Sequence, residues 1–260
     1  MTPPKTLREL QGEHAPAPPS FLHGPRGEAG EHAPVRNYVR DLILGFNDGL
    51  VSVYAIVAGV TAAAFTNGQI AVAGLAAAVA GALSMGMGEY LSTKSQTEYY
   101  RAEAQREREH IRAYPDLEKA EVREMLEKKG FPEDAVARIA NHVTTDEDRF
   151  VEFMMREEFG VGEESERSPF IAMLLVMLAF VVGAVFPVVL FVFLPRPEAP
   201  PTWAFLLASA LSLGALFVAG ASKNALSRIS PWKGGIEMTL LGAGAAAVTY
   251  GVGTLFGVAV

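Results

Sequence analysis

Hydrophobic residues in this chain are gathered into five long blocks, and the stretches between them are mainly polar. Each block reaches or approaches the roughly 20 apolar residues that a helix needs to cross the hydrocarbon layer of a membrane. The core of a soluble protein shows shorter apolar periods, so the pattern disfavours a soluble helical protein. The predicted spans cover residues 42–64, 69–91, 170–194, 203–222 and 236–259.

The segment between the second and third spans has a different composition. Residues 95–168 contain 20 Asp or Glu and 12 Lys or Arg. Their helical stretches are separated by Pro115, by residues 130–132 and by residues 144–145, which are typical helix boundaries. The predicted fold class is therefore an all-α integral membrane protein with five transmembrane helices and a helical domain of three to four helices inserted between helices two and three. The uncharged residues 66–69 predict a tight turn between the first two spans.

Basic residues near the ends of the spans predict the orientation. The turn between the first two spans contains no basic residue and the turn between the third and fourth contains Arg196. The segment before the first span and the turn after the fourth are richer, with Arg36, Arg40, Lys223, Arg228 and Lys233. The positive-inside rule then places the N-terminus and the acidic domain in the cytosol and the C-terminus outside.

Four parts of the chain follow from this pattern. Residues 1–37, rich in Pro, Gly and His without apolar periodicity, predict a disordered tail. Residues 38–94 hold transmembrane helices 1–2, residues 95–168 the cytosolic acidic helical domain, and residues 169–260 transmembrane helices 3–5.

Composition excludes several function classes. The chain contains no cysteine, so thiolate metal sites and cysteine nucleophiles are excluded. The net charge of −7 makes nucleic acid an unfavourable partner. The sequence lacks the GxSxG and HExxH motifs of hydrolases and the GxxxxGK[ST] loop of ATP-binding proteins. We therefore expect neither an enzyme nor a pump driven by ATP bound to this chain.

The first span carries an acidic residue, Asp48, near its cytosolic end within Gly45–Gly49. A charged residue at the centre of a transmembrane helix costs roughly 2.5–3.5 kcal/mol on insertion scales, so such residues usually serve a function. An alternative is that Asp48 only caps the helix or reaches the membrane interface.

The second span ends with Met85 and Glu89, four residues apart and so on one helical face. A thioether beside a carboxylate suits a borderline cation such as Fe²⁺, whereas Ca²⁺ and Mg²⁺ require oxygen ligands. Met85 is equally explained as a residue that fills a gap in helix packing.

The acidic domain contains further pairs of candidate ligands three or four residues apart, for example Glu118 with Glu121 and Met154 with Glu158. Carboxylates gathered from facing helices are the usual way in which helical bundles bind metal. Solvation of the outer faces of charge-rich helices is the simpler alternative for any single pair. The candidate metal ligands in this domain are Glu107, His110, Glu118, Glu121, Met154, Met155 and Glu158.

Three motifs resemble the vacuolar iron transporter family: GFNDGLVS at 45–52, ALSMGMGEYLS at 82–92 and GGIEMTLLGAGAAAVTYGVG near the C-terminus. The resemblance covers the chain from about residue 38 to its end. It implies a homodimer with five spans per subunit and a translocation path along the dimer interface. It also implies that Asp48 and Met85 line the path with Glu89 close by.

The same resemblance implies that Glu107, Glu118, Glu121 and Glu158, with Met154 and Met155, bind metal in the cytosolic domain before delivery. His110 departs from the family pattern, in which a second Glu commonly stands at this position. Imidazole also suits Fe²⁺ or Zn²⁺, but a ligating imidazole is neutral and titrates near pH 6.5.

The predicted function is export of Fe²⁺ from the cytosol by proton antiport across the cell membrane, with Mn²⁺ as a second substrate and Zn²⁺ or Co²⁺ as other cations that such ligands accept. The alternative is a membrane-bound iron buffer or sensor without transport. The intramembrane Asp48 argues against that alternative.

Overall fold

The computed structural model describes residues 33–160, 167–226 and 230–257, and this part of the chain forms eight α-helices and no strand. Residues 1–32 of the predicted tail lie outside the described residues, and the first helix begins at Ala33. The helices are α1 (Ala33–Ala62), α2 (Asn67–Ala113), α3 (Pro115–Lys128), α4 (Glu133–Thr144), α5 (Glu147–Glu157), α6 (Pro169–Phe193), α7 (Thr202–Leu226) and α8 (Pro231–Gly257).

Five of these helices, α1, α2, α6, α7 and α8, are long and apolar enough to cross a membrane. The all-helical class and the five predicted spans are therefore confirmed. The chain is a multi-pass membrane protein.

Helix α2 differs from the prediction at both ends. The short turn between the first two spans is present but lies at residues 63–66 and not at 66–69, because Thr66 is the N-cap of α2 and Gln69 completes a capping box with it. At the other end, the helix continues without a break from the apolar second span through the charged residues up to Ala113. No Gly or Pro interrupts the chain between Gly88 and Pro115, so the change in composition does not end the helix.

The membrane-spanning core is built around α6, which packs against both α1 and α2. Phe180, Ala184 and Val188 of α6 are buried together with Val53 and Ile70. Two glycines allow the backbones of α1 and α6 to touch: a Cβ on Gly49 would collide with the carbonyl oxygen of Phe180, and one on Gly183 with that of Phe46. Small residues at such positions allow the close backbone approach on which helix association in membranes depends.

At one end of the bundle, hydrogen bonds connect the N-terminal end of α2 to the loop between α6 and α7. The side-chain amide of fully buried Asn67 donates to the carbonyl oxygen of Pro195 at 3.0 Å. The backbone amides of Asn67 and Gly68 donate to the carbonyl oxygens of Glu198 and Arg196 at 2.9 and 3.0 Å. These contacts join the α1–α2 connection to the α6–α7 connection.

A second core lies apart from the first. It is formed by the polar C-terminal part of α2 together with α3, α4 and α5, and its buried residues are Ile111, Val122, Leu126, Val136, Ala140, Val143, Phe150, Val151, Met154 and Met155. Ion pairs add to it, since Arg108 and Arg112 of α2 both contact Glu147 of α5, at 3.1 and 2.7 Å. The N-cap of α5 is Asp146, which accepts a hydrogen bond from the backbone amide of Arg149.

The contact between α1 and α6 gives a stability prediction. Gly49→Ala should destabilise the protein by about 1–3 kcal/mol, because the added methyl group meets backbone that cannot rotate away. Gly244→Ala in α8 is the matched control, since a Cβ there meets nothing within 4 Å. The measurement is thermal unfolding of both purified variants in detergent. Equal melting temperatures for the two variants would contradict this account of the α1–α6 contact.

Candidate metal sites

Asp48 and Met85 meet at one cavity. Gly49 and its contact with α6 fix the turn of α1 that carries Asp48, and Met85 lies on α2 across from it. Both residues line a cavity of about 500 Å³, which Ser52, Ser84 and Phe180 also line. The Ser52 hydroxyl donates to the carboxylate of Asp48 at 3.3 Å. The structure thus places a carboxylate, two hydroxyls and a thioether around one space between α1, α2 and α6.

This cavity lies at the surface of the single subunit. Asp48 and Ser84 are both exposed. A carboxylate within a membrane-spanning helix is costly when it faces hydrocarbon.

Glu89, the third predicted residue of the path, does not line that cavity. It lies one helical turn beyond Met85, where it accepts a hydrogen bond from Thr93 at 3.1 Å and contacts Arg167 at 3.5 Å. Arg167 also pairs with Asp41 of α1, which is 1% exposed. Sequence analysis missed both Asp41 and Arg167.

The acidic residues of the second core surround one part of α2. Glu107 on α2 and Glu118 on α3 are 6% and 5% exposed, unusually low values for carboxylates. Glu121 is half-buried, and Glu158, the C-cap residue that follows α5, is exposed. One carboxylate oxygen of Glu107 is buried without a hydrogen-bond partner. A buried acceptor of this kind is costly unless a proton or a cation reaches it.

Electrostatic coupling shows that these four carboxylates are neighbours. Burial, the charges of Glu118, Glu158 and Glu121, and a side-chain hydrogen bond with Glu118 raise the pKa of Glu107 from 4.5 to about 7. Glu107 lies beyond the apolar part of α2, in the charged region that follows residue 91. Burial, followed by the charges of Glu121 and Glu118, also raises the pKa of Glu158.

The remaining predicted ligands occupy different environments. His110 is exposed on α2, and its charge acts on Glu158, whose pKa it lowers. Met154 is fully buried and Met155 is 6% exposed, and both belong to the hydrophobic core of the helical domain. Packing therefore accounts for both methionines whether or not their sulfur atoms bind metal.

Sequence analysis also missed Glu103. It is 8% exposed, its charge raises the pKa of Glu158, and it accepts hydrogen bonds from Arg106 at 3.0 Å. The spacing could have revealed it, because Glu103 precedes Glu107 by four residues and so lies on the same face of α2.

Within the described residues, no three His, Asp or Glu side chains are arranged as they stand to hold one metal ion. The carboxylates are close enough to interact electrostatically, yet they do not converge on a point. Mutual repulsion between like charges favours such a spread arrangement. Binding of a cation by this set therefore requires rotation of side chains.

Ionisable residues within membrane-spanning helices, such as Asp48, typically mark a substrate or ion pathway. The model of the VIT family matches residues 39–254, and the chain belongs to this family. It is accordingly a transporter and not an enzyme, as its sequence predicts.

Several relatives are similar over most of their length. Vacuolar iron transporter 2 of rice (Oryza sativa subsp. japonica) is 32% identical over 222 residues, which cover 85% of this chain and 89% of the rice protein. Vacuolar iron transporter 1 of Tulipa gesneriana is 33% identical, with 85% and 87% covered. The vacuolar iron transporter of Toxoplasma gondii is 33% identical, with 84% and 74% covered.

The raised pKa of Glu107 predicts how stability depends on pH when no metal is bound. A folded-state pKa of about 7 against an ordinary 4.5 means that stability from protonated Glu107 is complete below 4.5 and is lost as the pH rises to about 7. Glu107→Gln should therefore stabilise the protein at pH 8 by roughly 1–3 kcal/mol.

The measurement is thermal unfolding at pH 5.5 and pH 8 in detergent with a chelator. Glu127→Gln, which changes an exposed carboxylate of α3, is the control. If Glu107→Gln and Glu127→Gln respond to pH alike, the carboxylates around Glu107 are not coupled as described.

Proposed function

We propose that this protein exports Fe²⁺ from the cytosol by proton antiport. The observation that carries the proposal is the cavity between α1, α2 and α6 that Asp48 and Met85 both line, within the helices long and apolar enough to cross a membrane. A carboxylate with a thioether and hydroxyls suits Fe²⁺, and the relatives are named iron transporters. Mn²⁺ is the proposed second substrate, and Zn²⁺ or Co²⁺ could use the same ligands.

Proton antiport would follow from the chemistry of the carboxylates. A carboxylate binds either a proton or a metal ion, so alternating exposure of Asp48 to the two sides would exchange one for the other. Glu89 would take part from its position one turn beyond Met85.

The acidic helical region, residues 95–168, is the proposed cytosolic metal-binding domain, inserted between residues 38–94 and 169–260 of the membrane part. Its proposed ligands are Glu107, His110, Glu118, Glu121, Met154, Met155 and Glu158. Because Glu107 titrates near 7, metal binding here would release protons and weaken as the pH falls.

The proposed assembly is a homodimer in the cell membrane, with the C-terminus outside. The exposure of Asp48 and Ser84 on a single subunit supports it, because a second copy on this face would shield the carboxylate from lipid. The vacuolar location in the names of the relatives belongs to those proteins.

Transport is tested by Fe²⁺ flux into proteoliposomes with an outward-directed proton gradient. We expect metal to enter while protons leave, and Asp48→Asn to reduce both flows by about 10–100-fold or more, because loss of a group that only supports a metal ligand already has an effect of that size. Asp134→Asn, an exposed carboxylate of α4, is the matched control and should transport normally. Iron binding without flux above empty vesicles would support a membrane-bound buffer or sensor instead.

The helical domain is tested separately by Glu118→Gln combined with Glu121→Gln. We expect the double variant to lose binding of Mn²⁺ to the domain and to transport more slowly at low metal concentration, with near-normal flux at saturation. Equilibrium binding and flux are measured on the same preparations, with Glu124→Gln combined with Glu127→Gln as the control pair. Complete loss of flux at saturating metal would show instead that these carboxylates belong to the translocation path.

A further inference from the structure

A buried ionic group joins three parts of the membrane bundle. Asp41 lies near the start of α1, Glu89 lies on α2, and Arg167 lies directly before Ser168, the N-cap of α6. One guanidinium nitrogen of Arg167 contacts both carboxylates. The side chains of Arg167 and Asp41 are 10% and 1% exposed, and the Tyr38 ring lies 5.8 Å from the guanidinium carbon.

The two carboxylates are held unequally. Asp41 is fully buried in a short contact with Arg167, whereas Glu89 is 19% exposed and contacts the same nitrogen at 3.5 Å, the limit of a hydrogen bond. Loss of Arg167 would leave Asp41 as an uncompensated buried charge, so this pair is the firm one. Glu89 keeps its hydrogen bond from Thr93 and can leave Arg167 at lower cost.

Glu89 also lies on the same face of α2 as Met85, a residue of the Asp48 cavity that is one helical turn away. A polar cavity of about 360 Å³ lies beside Arg167 and is lined also by Lys94, Glu98 and Arg101, so the contact between Arg167 and Glu89 borders open polar space. The Nε of Arg167 is buried without a partner, so the present arrangement does not use all its donors.

We propose that Arg167 is a positioning residue whose tethered positive charge holds the Glu89 carboxylate and competes for it with the transported divalent cation. Arg167 stays anchored on Asp41, while Glu89 alternates between the guanidinium and a metal ion near Met85. The arginine would thereby limit how tightly the metal binds and promote its release. This inference rests on the proposed transport function.

The test compares the KM and maximal rate of Mn²⁺ uptake in proteoliposomes. Asp41→Asn combined with Arg167→Gln removes both charges of the firm pair and so avoids a buried unpaired carboxylate. This variant should lower the KM about fivefold or more and slow the maximal rate, because Glu89 holds the metal longer. Arg167→Lys, which keeps the charge, should stay within about twofold of the wild-type KM. A purely structural role of Arg167 would raise the KM or leave it unchanged.

Glu89→Gln provides the internal control. Added to the double variant, it should abolish the decrease in KM, since the competition requires the Glu89 carboxylate. An unchanged or raised KM in the double variant, or a decrease that persists with Glu89→Gln, would overturn the proposal.

A binding measurement separates this inference from the transport proposal. The dissociation constant of Mn²⁺ is measured by electron paramagnetic resonance in a Glu118→Gln/Glu121→Gln background, which reports on the membrane site. If the wild type shows no flux, transport is refuted. Tighter Mn²⁺ binding after Asp41→Asn and Arg167→Gln are added to that background would still support competition by Arg167. If the wild type transports and neither KM nor Kd changes, only the role of Arg167 is refuted.

Discussion

The backbone contact between α1 and α6 is the constraint on which the membrane part of this protein depends. Gly49 and Gly183 lie against carbonyl oxygens of the opposite helix, so the distance between the two helices is fixed by main-chain atoms. Asp48 directly precedes one of these glycines. An exposed carboxylate of the first span is thus carried by a turn whose backbone lies against α6, which gives the Asp48 side chain a defined position.

The acidic groups around Asp41 and those around Glu107 differ in how their buried charge is compensated. Near Asp41, a charge inside the bundle is compensated by Arg167, and burial is tolerated because the opposite charge is present. Around Glu107, burial and the charges of neighbouring carboxylates raise the pKa of Glu107, with burial the larger cause. The first arrangement is stable as it stands, whereas the second becomes favourable when protons or cations bind.

The parts of the fold that depend on local periodicity could be predicted from sequence. Five apolar blocks gave five membrane-spanning helices, and the pattern Thr66-x-x-Gln69 contained the cap that was mistaken for a turn. The continuity of α2 was hidden because a change from apolar to charged residues looks like a boundary, although no Gly or Pro between Gly88 and Pro115 interrupts the helix.

Long-range pairing could not be predicted in the same way. Asp41 and Arg167 are 126 positions apart, and neither lies in a motif that points to the other. Glu103 was detectable in principle, since it precedes Glu107 by one helical turn. Sequence spacing within one helix therefore finds neighbours on a face, while contacts between helices require the packed structure.

The unbroken course of α2 has a consequence for how two regions of the protein relate. Met85 and Glu107 are 22 residues apart on one helix, which corresponds to about 33 Å along the axis and a rotation of only about 40°. Both residues thus lie on nearly the same side of a single rod. At physiological ionic strength the screening length is about 8 Å, so charge bound at one end has little influence at the other through water. Metal binding near Met85 and metal binding near Glu107 should therefore be independent of each other. Only a rotation or displacement of the whole helix α2 could couple the two sites.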